Sequence, residues 1–344
     1  MRVAVIGGTA FIGRALVHQL AKAGHELLVF HRGLTHADLP EGVEELLADR
    51  RDLFENRQRF REFKPDVVVD MICMTEHQAQ TTIDTFEGIA DRLVVISSQD
   101  VYRAFGRVQG FEPGPPDPVP LTEDSPLREK LFLYRDSEQE GRFEWSRDYE
   151  KVMVERVAQD EPKLPATVLR LPAVYGPGDY QHRLCGYATR IAEERPAIVI
   201  GRGLAGWRWT RGYVDNVAAA IMLAVEDDRS AGRTYNVGDP DAFTEIEWVQ
   251  NIGKAVGWNG DILVVEDERF SVGLNHEQDW VADTSRIRDE LGYEEPVSLL
   301  HALQHTIEWE LHNPPEGYHA SGHQYDAEDE AIARAKEQSK NSEG

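Results

Sequence analysis

Residues 3–13 read Val-Ala-Val-Ile-Gly-Gly-Thr-Ala-Phe-Ile-Gly, and they lead directly into Arg14-Ala-Leu-Val-His-Gln-Leu-Ala-Lys-Ala-Gly24. Val3 to Ile6 is an apolar, β-favouring run of the kind buried on both faces of a parallel sheet. Leu16, Leu20 and Ala23 then share one face of a helix that stops at Gly24. Strand, glycine turn and helix in that order make a phosphate site. Gly7 permits the tight turn and close backbone approach, Gly13 lets the helix lie against the sheet, and the free N–H groups at the helix start face the pyrophosphate of a dinucleotide. Three-glycine spacing alone is a loose pattern, but the flanking strand and helix turn it into a Rossmann-type signal. The bland alternative is a glycine-rich turn that holds no ligand.

Outward from this stretch, the 344 residues are 41% hydrophobic, enough for a large core. Strand signals at 26–30, 65–70, 92–98 and 166–171 alternate with helical patterns and predict an α/β fold, a doubly wound parallel sheet with helices on both faces plus a smaller C-terminal α/β substrate domain. The expected boundaries are 1–176 for the nucleotide-binding unit with 207–238 returning to it, 177–206 and 239–312 for the substrate-binding unit, and 313–344 for an acidic, partly disordered tail with a charged helix-like run at Asp326–Lys336. Cys73 and Cys185 match no metal or disulfide spacing, which fits a reducing compartment. With a core strand starting at Val3 and no long apolar run, the chain reads as soluble and cytoplasmic. The formal charge is −24, from 61 acidic and 37 basic residues, only 8 of them lysine. Such a surface repels nucleic acid and anionic membranes; it fits a salt-adapted protein as well as an acidic mesophilic enzyme.

The segment Gly7-Gly8-Thr9-Ala10-Phe11-Ile12-Gly13 resembles the N-terminal fingerprint of the extended short-chain dehydrogenase/reductase superfamily, the NAD-dependent epimerase/dehydratase group. Ala10 replaces the usual middle glycine, and with Phe11 this is closer to an atypical branch that includes chloroplast stem-loop RNA-binding proteins. The resemblance implies NAD(P) as cofactor, with Gly7, Thr9, Ala10, Phe11, Ile12 and Gly13 around the pyrophosphate. Strand two ends at His31 and Arg32, where NAD-selective relatives place an acid for the ribose 2′-hydroxyl; a guanidinium there pairs with a 2′-phosphate, so NADP is slightly favoured over NAD. Asp49 falls where relatives set an acid against the adenine amine, Arg50 flanks the base, and Ile72 passes close to the cofactor.

Catalytic residues follow from the same resemblance. Ser98-Gln-Asp-Val-Tyr102 is similar to the family's Ser-x-x-Val-Tyr segment, which implies that Ser98 hydrogen-bonds the reacting hydroxyl or carbonyl. Lys151-Val-Met-Val-Glu155 matches the second half of a Tyr-x-x-x-Lys motif whose lysine lowers the tyrosine pKa and holds the nicotinamide ribose. Four residues before Lys151 stands Arg147. Tyr149, two before the lysine, points elsewhere on an ideal helix. Three readings stay open: Tyr149 reaches the site from an irregular first turn, Tyr134 of the proline- and glycine-rich 103–147 loop replaces it, or the protein binds cofactor without the standard redox step. Replacing Lys151 by alanine is expected to weaken cofactor binding and leave the stability of the apo protein nearly unchanged.

Leu169-Arg-Leu-Pro-Ala-Val-Tyr-Gly-Pro-Gly178 is a further family signature; it implies that Pro172 and Val174 touch the nicotinamide end and that Arg170 is a structural anchor. Arg211 resembles the arginine that reaches substrate, and Asp215 is expected to cap the helix behind it. Thr244-Glu-Ile-Glu247 has capping-box form. His301 and His305 lie opposite an apolar helix face and are expected to be solvated, so no metal site is expected. The leading function is an epimerase, dehydratase or reductase acting on a hydroxyl or carbonyl of a sugar, sugar-nucleotide or similar polar metabolite. A non-catalytic NAD(P)-binding regulator is the alternative, and RNA binding is opposed by the charge. The expected partner is a small-molecule substrate, without nucleic acid or membrane, and a homodimer is left open.

Overall fold

The apolar runs of the sequence pair side by side. The computed structural model describes residues 1–35, 38–135, 145–316 and 325–342. Its strands are β1 (Arg2–Ile6), β2 (Glu26–His31), β3 (Glu44–Leu47), β4 (Val67–Asp70), β5 (Arg92–Ser98), β6 (Ala166–Leu171), β7 (Ala173–Tyr175), β8 (Ala197–Gly201), β9 (Arg211–Tyr213), β10 (Thr234–Asn236) and β11 (Asp261–Val265). Its helices are α1 (Phe11–Lys22), α2 (Arg57–Phe63), α3 (Glu76–Phe86), α4 (Arg103–Val108), α5 (Lys151–Gln159), α6 (Cys185–Ala192), α7 (Arg202–Ala205), α8 (Val214–Glu226), α9 (Glu245–Val256), α10 (Ser285–Leu291), α11 (Leu299–His312) and α12 (Tyr325–Ser342).

Seven strands form one parallel sheet in the order β10-β6-β5-β4-β1-β2-β3. Alternate residues of β1 serve opposite faces, as the pleat requires. Val3 and Val5 pack with Leu16 and Leu20 of α1 and Val217 and Ile221 of α8. Ala4 and Ile6 pack with Phe60, Ile83, Phe86 and Val154 of α2, α3 and α5. Chain order reverses between β1 and β4, which opens a crevice at the carboxyl ends of those strands. Beyond β7 a second, two-stranded parallel sheet, β8 with β11, buries Ile198 and Ile200 against Ala205 and Val249 of α7 and α9.

Several local expectations shift. The helix expected from Asp148 begins at Lys151, because the Glu150 carboxylate accepts from Val152 N at 3.0 Å and caps it. Asp215 is not the cap of its helix; α8 starts one residue earlier, at Val214, with Tyr213 as the capping residue. The loop expected over 103–147 contains the helix α4, and its residues 136–144 lie outside the described residues. In the tail, 317–324 and 343–344 lie outside them as well, and the charged helix-like run at Asp326–Lys336 lies within α12. Ala327, Ala331 and Ile332 of α12 are buried, and Glu328 pairs with Arg190 at 2.5 Å. Those small apolar residues sit at helical spacing within a charged run, so the low mean hydropathy concealed a packing face. The Thr244 capping box is present, and His301 and His305 are exposed. Among the described residues no helix is long and apolar enough to cross a membrane.

Candidate active site

The glycine turn has the geometry its sequence demands. Gly7 adopts φ +87°, and a Cβ on Gly13 would stand 2.4 Å from the Gly7 carbonyl oxygen. A Cβ on Gly8 would meet Val17 at 2.7 Å, so this glycine too sets the approach of α1 to the sheet. Ala10 precedes α1 in extended conformation and contributes no side-chain cap. The first N–H groups of α1 are therefore left for a ligand.

In front of them lies a cavity of about 590 Å³. Of the residues read as cofactor contacts, Gly7, Thr9, Ala10, His31, Arg32, Asp49, Arg50 and Ile72 line it. Phe11, Ile12, Gly13, Lys151, Pro172 and Val174 do not. Two of the lining side chains are engaged in ways that the sequence did not signal. Arg50 does not offer its guanidinium to a base: it grips the buried Asp70 with two hydrogen bonds of 2.7 and 2.6 Å and reaches Thr82 Oγ1 at 3.0 Å. His31 is buried; its Nδ1 accepts from Gly33 N at 3.2 Å, which assigns the proton to Nε2, 2.8 Å from Glu45 Oε2. Arg32 is exposed and has no hydrogen-bond partner among the described residues. Asp49 caps the short turn after β3 and pairs with Arg51, whose hydrogen bonds hold its carboxyl below the usual range.

The catalytic candidates come together beside that cavity. Lys151 is buried, and its Nζ donates to the carbonyls of Cys73 and Ile96 at 2.7 and 2.8 Å; burial lowers its pKa. Because α5 begins only at Lys151, Tyr149 is freed from helical geometry. Its ring centre lies 6.0 Å from the lysine Nζ, the arrangement of the first of the three readings left open and not that of an ideal helix. The Tyr149 hydroxyl donates to Asp100 Oδ2 at 2.6 Å, and Asp100 N donates to Ser98 Oγ at 3.2 Å. Tyr134 stacks against Tyr149 with ring centres 5.2 Å apart. Tyr134, Tyr149 and Lys151 thus approach one buried carboxylate, Asp100, whose backbone N–H is held by Ser98. Sequence reading passed over Asp100; the available signal was its place inside the Ser-x-x-Val-Tyr segment.

Burial shapes the charges here. It raises the pKa of Asp100, against the nearby Arg128, and it raises Tyr149 well above the usual tyrosine value, helped by the Asp100 charge. Tyr134 is pushed up to about 12 by burial. The lysine therefore does not produce a resting phenolate: Tyr149 is a neutral phenol that donates to a carboxylate. The Cys73 thiol, pushed up to about 12 by burial, is inert. Glu150 and Arg128, both fully buried, pair at 2.9 Å, and Glu150 also accepts from Phe132 N at 2.7 Å, tying the loop to the start of α5. Arg170 is the anchor that was expected, with two bonds to Glu155 of 2.9 and 2.7 Å and one to the Tyr102 hydroxyl.

The model of the NAD dependent epimerase/dehydratase family matches residues 3–94 and 132–238. The chain belongs to this family. It is 27% identical over 296 residues to a 2'-dehydrokanamycin reductase of Streptomyces kanamyceticus, covering 83% of this chain and 75% of that one. Identity to a probable dTDP-glucose 4,6-dehydratase of Sinorhizobium fredii is 25%, over 91% of this chain and 93% of the other. Among solved structures, a UDP-glucose 4-epimerase from Thermotoga maritima with UDP-glucose superposes with a TM-score of 0.66 at 19% identity, covering 91% of this chain and 99% of that chain. The dTDP-glucose 4,6-dehydratase of Bacillus anthracis in complex with NAD gives 0.65 at 19%, over 91% and 97%. At such identity the structural likeness shows the fold.

Arg211, read as a substrate contact, lies apart from the glycine turn. It lines a second cavity of about 320 Å³ together with Tyr175, Tyr187, Trp207, Trp209, Trp248 and Trp280. Sequence reading found only the arginine, since these aromatic residues come from separated segments and share no motif.

Proposed function

We propose that the protein is an NAD(P)-dependent oxidoreductase of the epimerase, dehydratase or reductase type, acting on a hydroxyl or carbonyl of a sugar or similar polar metabolite. The observation that carries this reading is the Tyr149 hydroxyl set 2.6 Å from Asp100 beside buried Lys151. The residues present fit the cofactor: the tight turn at Gly7, which Gly13 keeps close to the sheet, and the uncapped start of α1 suit a pyrophosphate. Gly7, Thr9, Ala10 and Asp49 would hold the adenosine diphosphate half, with the exposed Arg32 placed for a 2′-phosphate. Ile72, Lys151, Pro172 and Val174 would flank the nicotinamide half.

When bound, the cofactor supplies or takes a hydride. The protein's own part is proton handling and orientation. Ser98 holds the reacting oxygen. Tyr149, a neutral phenol at rest, turns from Asp100 to give its proton to a carbonyl oxygen during reduction, and in oxidation passes the substrate's hydroxyl proton towards Asp100. A resting proton donor suits the reductive direction, in keeping with the name of the kanamycin-related reductase among the relatives.

Calorimetric titration with NAD, NADH, NADP and NADPH tests the reading. At least one should bind at millimolar concentration or below, the phosphorylated pair more tightly through Arg32. Arg32→Ser should lose the preference for the phosphorylated pair while keeping its circular dichroism spectrum. Absence of heat from all four ligands on folded wild-type protein refutes the proposal.

A further inference from the structure

We infer that the aromatic cavity around Arg211 selects an uncharged, ring-bearing glycoside or cyclic polyol and rejects sugar nucleotides. This names the substrate class for the function proposed above and rests on that reading for the chemistry, though not for the binding.

The walls are indole faces. Trp207 and Trp209 stack with ring centres 5.4 Å apart, Trp209 and Trp280 at 6.2 Å, and Trp248 stands edge-on to Tyr175 at 5.2 Å. Such surfaces accept the C–H face of a pyranose or the face of a planar ring. The cavity also borders the catalytic segment: Trp280 Nε1 donates to the carbonyl of Gln99, next to Ser98, at 3.1 Å.

What the cavity lacks is a cation with charge to spare. Arg211 Nη2 lies 2.5 Å from Glu245 Oε2, and its guanidinium sits over Trp248 at 4.2 Å and over Trp209 at 4.9 Å. The other oxygen of Glu245 accepts from the Tyr187 hydroxyl. Arg183 is paired with Asp179 at 2.7 Å and also donates to the carbonyl of Val174. Among the described residues both arginines of the cavity are thus neutralised. A diphosphate entering would be desolvated without a counter-charge, or would have to take Arg211 and leave Glu245 buried and unpaired; either is costly. For hydroxyl groups the same pair is well suited, a donor and an acceptor fixed side by side. About 320 Å³ is also at the small end of ligand sites.

The test measures intrinsic tryptophan fluorescence and calorimetric heat for wild-type protein, with and without NADP, against the phenyl glycosides of glucose, galactose, mannose and xylose and against UDP-glucose and UDP. At least one phenyl glycoside should bind about tenfold or more tightly than UDP-glucose. Trp209→Ala should weaken that glycoside at least about fivefold and leave NADP binding unchanged. Glu245→Gln, which releases Arg211, should narrow or reverse the preference by strengthening UDP-glucose. The inference is overturned if UDP-glucose binds wild-type protein as tightly as any glycoside, or if none of the four glycosides binds at millimolar concentration. Failure of NADP to bind would instead strike the proposed function and leave the glycoside result standing.

Discussion

The two cavities are built on different principles. The cavity at the glycine turn has a backbone floor, with Gly7 at positive φ and the bare start of α1 beside it, the whole held close to the sheet by Gly13 against the Gly7 carbonyl. The aromatic cavity is shaped by side chains that converge from β7, α6, β9, α9 and the connections around them. A backbone site tolerates no added atom at its glycines but accepts varied neighbours. A side-chain site depends on long-range packing and on charge pairs such as Arg211–Glu245. Between them stands the cluster of Ser98, Asp100, Tyr149 and Lys151, which borrows from both: a strand end for its serine, and a buried carboxylate for its tyrosine.

The sharpest way to break this division is Tyr149→Phe. If the cluster is the proton-handling group, turnover on the substrate class identified by binding should fall about 10²–10⁴-fold, while the dissociation constant of the cofactor stays nearly the same. An unchanged rate would move the proton transfer to Tyr134 and detach Asp100 from the mechanism.

Next in size is a pH effect confined to the aromatic side. Asp239 N donates to the Arg211 carbonyl at 2.8 Å, and the Tyr175 hydroxyl is 3.4 Å from Asp239 Oδ2. Burial, and then the charge of Glu295, raise this carboxyl from 3.8 to about 7. A folded-state pKa above the unfolded one means that the native state holds the extra proton, so the contribution is complete below the unfolded value and is lost as pH rises through the folded one. Denaturation midpoints should therefore decline between pH 4 and 7, by an amount on the order of 4 kcal/mol if Asp239 acts alone. Asp239→Asn should flatten that slope and leave cofactor binding unaffected; an identical slope in the variant removes Asp239 from the account.

Lys151→Met should destabilise even the apo protein, by about 1–3 kcal/mol, because the carbonyls of Cys73 and Ile96 would lose their donor in a buried place. Urea titration measures it. This reverses the expectation that the lysine matters only to cofactor. That expectation treated Lys151 as a side chain in an open cleft, whereas it also ties the connection after β4 to β5. The smallest effect belongs to the surface: Asp329→Asn removes an exposed partner of Arg195 on α12 and should change stability by less than about 1 kcal/mol, less still in high salt. A larger loss would mean that α12 supports the core of the second sheet.

The strands were legible because a buried parallel sheet requires continuous apolar runs, and 92–98 and 166–171 were read to the residue. The glycine site was legible for a related reason, since only glycine satisfies Gly13 beside the Gly7 carbonyl, and a local constraint leaves a local mark. The position of Tyr149 was hidden by one capping interaction: the Glu150 carboxylate starts α5 three residues later than the periodicity suggested, which brings the phenol back towards Lys151. Arg50 looked like a ligand contact until Asp70, 20 residues on, proved to be its partner.

By itself, then, the sequence determined the doubly wound architecture, the place of the glycine turn and the two segments that carry Ser98 and Lys151, all of which rest on contacts between residues near in the chain or on one element. The tertiary structure alone decided which charges remain available. Whether Arg50, His31 or Arg211 faces a ligand depends on Asp70, Glu45 and Glu245, and whether Tyr149 rests as phenol or phenolate depends on Asp100 and on burial. Those pairings are made by folding across tens of residues, where no spacing in the sequence records them.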